Sequence, residues 1–102
     1  MGLYERWTYT GETAGQKIAV HSFAAALREV ARGGRPMGMA QLIAAFALDA
    51  SDQTDLAALV AHYTGLATVA AKEQWLMDLH GVMILAEAGL YSKQNCKDAL
   101  GF

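Results

Sequence analysis

The run VAAKEQWLMDLHGVMILAEAG, residues 69–89, decides the fold class. Ala71, Trp75, Leu79, Val82, Met83 and Ala86 recur at spacings of three and four, the period of one face of an α-helix. Thr68 offers a side-chain oxygen to the first turn and Gly89 supplies a stop. The spacing predicts a helix over 69–88, the longest in the chain.

Upstream, Leu56, Leu59, Val60 and Tyr63 share one face and predict a helix ending near Tyr63. Ser51 is its expected cap, and Asp52 and Asp55 suit the positive end of a helix dipole. Before it, Met37–Leu48 is nearly all apolar, with Met39, Leu42, Ile43, Phe46 and Ala47 covering most of a helix circumference. Such a helix is expected to be covered on most sides. Between Gln16 and Arg32, Ile18, Phe23, Leu27 and Val30 repeat at helical spacing, and Gly33-Gly34-Arg35-Pro36 ends the run. Downstream of residue 89, Ser92 caps a short helix over 93–100.

Residues 1–14 read differently. Tyr4, Arg6, Thr8 and Thr10 alternate with Glu5, Trp7 and Tyr9, and Trp, Thr and Tyr are β-formers. The expectation is an extended N-terminal arm over 1–14 and a single helical domain over 15–102. The fold class is all-α, a small bundle of four main helices plus a short C-terminal helix. The arm is expected to be dispensable for folding, with Trp7 contributing less to stability than Trp75.

Composition narrows the function. The chain has 102 residues, a formal net charge of −2, 54% hydrophobic and 18% charged residues and one Cys. One domain fits that length, and wholesale disorder does not fit that apolar content. A near-neutral balance argues against holding nucleic acid by charge. A lone Cys leaves no internal disulfide and no Cys-rich zinc site. Roughly twenty residues are Ala, which favours helix but buries little area per residue. Burial against another subunit, including a second copy of the chain, would make up the difference.

Met1–Thr13 carries Glu5, Arg6 and Glu12 and no apolar core, so it does not read as a signal peptide. The longest uncharged run, Leu56–Ala71, is broken by His62, Thr64 and Gly65 and falls short of the about 18 residues a membrane span needs. The protein is expected to be made in the cytoplasm and not to enter a membrane.

No catalytic or cofactor motif is present, so neither an enzyme nor a cofactor is expected. His21, His62 and His80 fall on three helices. His80 alone has suggestive neighbours, since Glu73 and Glu87 each lie two turns away near the same face. Asp49, Asp52 and Asp55 repeat every three residues, whereas a calcium loop alternates its ligands; helix capping accounts for the run. Cys96 sits between Lys93 and Lys97, which could lower its pKa, although a buried inert thiol is the simpler reading. Arg28, Arg32 and Arg35 make a basic edge at a helix end, where cations stabilise the helix in any case. Gln41–Val60 has helix–turn–helix proportions, yet its second helix opens with Asp52 and Asp55, which would repel a duplex.

Partner binding has more in its favour. Tyr4, Trp7 and Tyr9 place amphipathic rings on the expected arm, and such rings anchor interfaces. Tyr91 and Phe102 give the C-terminal segment a second candidate surface.

Three runs carry a resemblance: FALDASDQTDL (46–56), LHGVMILAEAGLYSK (79–93) and ALGF (99–102). Over about residues 40–102 the chain resembles small helical proteins encoded among the virion genes of tailed bacteriophages. The resemblance implies a minor structural or accessory protein of a phage particle, incorporated into the virion and working through contacts with other virion proteins or with itself. The competing expectation is a small helical inhibitor or adaptor that binds one host or cellular protein and occludes it.

Overall fold

The computed structural model describes residues 2–8, 17–33 and 38–102. Those residues are 76% helical and contain no strand. Among the described residues six helices follow one another: α1 (Leu3–Thr8), α2 (Val20–Ala31), α3 (Met39–Ala45), α4 (Ala50–Gly65), α5 (Val69–Glu87) and α6 (Lys93–Leu100). The longest, α5, packs against α1, α2, α4 and α6.

Where the sequence pattern predicts an extended arm, residues 3–8 form α1. Leu3, Tyr4 and Trp7 fall on one face of its turns and are 0%, 2% and 0% exposed. A six-residue helix is not stable alone and needs tertiary partners. It has two on α4. The Leu3 N–H donates to the Asp55 carboxylate over 3.0 Å, satisfying a first-turn donor of α1. Arg6 reaches the buried Asp52. The rings then continue the core: Tyr4 meets Trp7 edge-on at 5.1 Å, Trp7 tilts over Phe23, and Phe23 meets Phe46 edge-on at 5.2 Å. Tyr4 and Trp7, expected on an extended arm, are part of the interior of the domain. The expected stretch 9–14 lies outside the described residues.

Other boundaries move for local reasons. α2 begins at Val20, although Ile18 before it is already buried. α3 stops at Ala45 because Ala47 takes a left-handed φ of 50°. That turn closes by Ala47 N–H to Ala44 C=O and Leu48 N–H to Ile43 C=O, the double bond of a Schellman end, with Ala where Gly is usual. The cap of α4 is Asp49, two residues before the expected Ser51. Asp49 accepts from Asp52 N–H over 2.9 Å, and Asp52 accepts from Asp49 N–H over 3.0 Å. Thr68 and Ser92 cap α5 and α6 as expected. Gly89, at φ 79°, closes α5 through Leu90 N–H to Leu85 C=O.

The predicted stripe of α5 is buried at Trp75, Leu79, Val82, Met83 and Ala86, joined by Leu76; Ala71 is exposed. Trp75 Nε1–H donates to the Leu100 carbonyl over 3.3 Å, tying α5 to the end of α6.

Candidate functional surfaces on α5

Two surfaces of α5 remain once the core is accounted for. The first faces α2. Glu73, His80 and Glu87 are spaced by seven, and each meets a side chain of α2 or of the residues flanking it. Arg32 holds Glu73 through two guanidinium nitrogens, one of them at 3.0 Å. Lys17 lies 3.6 Å from Glu87. Between those ion pairs, His21 Nδ1 and His80 Nε2 are 3.1 Å apart, the rings meeting edge-on. A cavity of about 100 Å³ adjoins them, lined by His21, Ala24, Ala25, Arg28, Leu76 and His80. That volume is well below the roughly 300–1,000 Å³ of small-molecule sites.

The Arg edge expected from sequence is not a free basic strip. Arg32 is committed to Glu73, whose hydrogen bond raises the guanidinium's pKa further. Arg28 lines the cavity, and Arg35 lies outside the described residues.

His62 stands apart, with the Trp75 ring centroid 5.0 Å away and that of Phe102 5.1 Å away. Cys96 is buried, and burial pushes its thiol pKa up, the opposite of an activated nucleophile. Among the described residues no group of three or more His, Cys, Asp or Glu is placed to hold a metal ion. Nor is any described helix long and apolar enough to cross a membrane.

A more open hollow of about 350 Å³ lies between the start of α1 and α4, bordered by Gly2, Glu5, Ser51, Thr54, Asp55 and Lys93. Lys93 spans it, donating to Glu5 over 2.9 Å, and this bond holds the Glu5 carboxyl below its usual range.

The second surface is the outer side of α5. Met77 and Ile84 are 60% and 41% exposed there, while Val69 at the first turn of α5 and Leu90 just beyond its end, 76% and 70% exposed, add apolar surface at the two ends of the helix. Met77 and Ile84 are seven residues apart and so lie almost over one another on the helix. Ala70, Gly81 and Ala88 fill the same side. This helix carries apolar residues on both faces, a pattern that calls for cover from a neighbour.

Of the expected contact residues, Tyr4 and Trp7 are covered by this chain's own helices, and Tyr9 lies outside the described residues. Tyr91 is half-buried against the core. Phe102 is 42% exposed with one side of its ring on His62. Reading the sequence missed Val69, Met77, Ile84 and Leu90. The signal was there in the heptad spacing of Ala70, Met77 and Ile84, opposite the buried stripe.

Comparison with protein-family models, curated proteins and solved structures finds no match to the chain.

Proposed function

We propose that the chain is a non-catalytic protein–protein interaction subunit, an accessory or minor structural protein of a phage particle, which docks other subunits on the outer face of α5. The observation that carries this reading is the exposure of Met77 and Ile84 on one line of α5, with Ala70, Gly81 and Ala88 beside them. Both side chains are already partly covered, so burying the rest of each would contribute about 1 kcal/mol, and several such contacts together would anchor an interface. The phage setting rests on the resemblance of residues 40–102.

Co-purification tests it. The wild-type chain should carry particle proteins with it in constant proportion, or associate with itself, as read by light scattering. The double variant Met77→Glu, Ile84→Glu should keep its helical spectrum and lose both associations. A stable one-to-one complex with a single cellular protein outside any particle would instead identify an inhibitor or adaptor.

A further inference from the structure

We infer that His21 and His80 form a two-imidazole site for a late first-row divalent cation of the Zn²⁺, Ni²⁺ or Cu²⁺ type, clamping the start of α2 to the middle of α5. The facing atoms are His21 Nδ1 and His80 Nε2, 3.1 Å apart and 59 residues apart in sequence. As a hydrogen bond, that contact requires one nitrogen to carry the proton and the other to be bare. With both nitrogens bare, the same separation suits a shared ion. Two Zn–N bonds of 2.0–2.1 Å spanning it enclose an angle of about 100°, between the square and tetrahedral values such ions accept. His21 is exposed, so its ring can hold the proton on Nε2, where the N–H donates to water, and leave Nδ1 bare. The remaining coordination positions would be filled by water, because the other ligand types nearby are engaged: Glu73 by Arg32 and Glu87 by Lys17.

The surroundings set the strength. The two flanking ion pairs are each neutral overall, and Arg28 adds a positive charge at the cavity that opposes a cation. Two ligands without a third make a weaker site than a structural or catalytic one, which uses three or four. Soft or borderline ions that favour imidazole nitrogen should bind, whereas Mg²⁺ and Ca²⁺, which require oxygen, should not.

The test uses the full chain without a histidine tag, with thermal unfolding followed as Zn²⁺ is added. Because the ion would bridge two helices only in the folded state, it should stabilise by mass action. At a hundredfold excess over its dissociation constant, the midpoint should rise by roughly 10–20 °C. His21→Asn and His80→Asn should each melt within a few degrees of wild type without metal and lose the rise with it. Ni²⁺ should broaden the ring signals of His21 and His80 in proton NMR and leave His62 sharp. An unmoved midpoint at millimolar Zn²⁺ would overturn the inference. So would a rise that persists in His80→Asn, which would put the ion elsewhere.

Discussion

Arg6 on α1 and Asp52 on α4 form a buried ion pair of 2.6 Å, their side chains 6% and 0% exposed. The pair joins segments 46 residues apart and does more than neutralise charge. The guanidinium also donates to the carbonyls of Phe46 over 3.0 Å and Ala47 over 3.3 Å, the turn that ends α3. Asp52 in turn accepts from the Asp49 N–H and completes the cap of α4. One contact therefore positions α1, ends α3 and starts α4. Removing either side chain strands the other charge in the interior, so Arg6→Ala and Asp52→Ala should each cost about 3–5 kcal/mol in urea denaturation. A loss under 1 kcal/mol for both would show that the pair is not the junction described.

The turn that Arg6 holds is strained at Ala47, whose φ of 50° is unfavourable for a residue with a Cβ. Relief of that conformation is worth roughly 1–2 kcal/mol per residue. Ala47→Gly should raise stability by about 1 kcal/mol, after allowing for the greater freedom of Gly in the unfolded chain. A lower melting midpoint for this variant would contradict the left-handed assignment.

Trp7 and Trp75 should be comparable in their effects, because they are 0% and 8% exposed. Each Trp→Ala substitution is expected to cost about 3–5 kcal/mol. Chemical denaturation of the two variants side by side checks this. A nearly silent Trp7→Ala would restore the idea of a detachable arm.

Alkaline pH should weaken the fold through Tyr4. Burial, with Asp55 nearby, pushes its phenol up to about 12 from the ordinary value of 10. The sign follows: the folded chain keeps this proton where the unfolded chain has released it. The contribution is therefore whole below pH 10 and is lost as pH rises through about 12. At about 1.4 kcal/mol per unit, it amounts to about 2–3 kcal/mol. Tyr4→Phe should flatten the decline above pH 10, and a decline of unchanged steepness would assign it to other groups.

Much of the helical body was legible in sequence because its signals are local. Thr68, Ser92 and Gly89 sit at ends that any periodic reading would find, and the stripe from Trp75 to Ala86 is continuous. α1 was not legible, for a physical reason. Six residues barely complete a helical period, and Tyr4 and Trp7 fit alternation by type as well as they fit a turn. What makes them helical is Asp52 and Asp55, far along the chain. The His21–His80 contact was hidden in the same way, although the shared face of Glu73, His80 and Glu87 was visible. The outer face of α5 was readable too, since Met77 and Ile84 fall outside the stripe of Trp75, Leu79, Val82, Met83 and Ala86.

The measurement that bears most directly on docking by α5 is site-specific photo-crosslinking in the organism that makes the protein. A photoreactive side chain at Met77 or Ile84 should give discrete adducts with other subunits. The same group at the exposed Ala61 or Ala99 should give none. Adducts from Ala61 or Ala99 with none from Met77 and Ile84 would contradict the account and move the contact surface off α5.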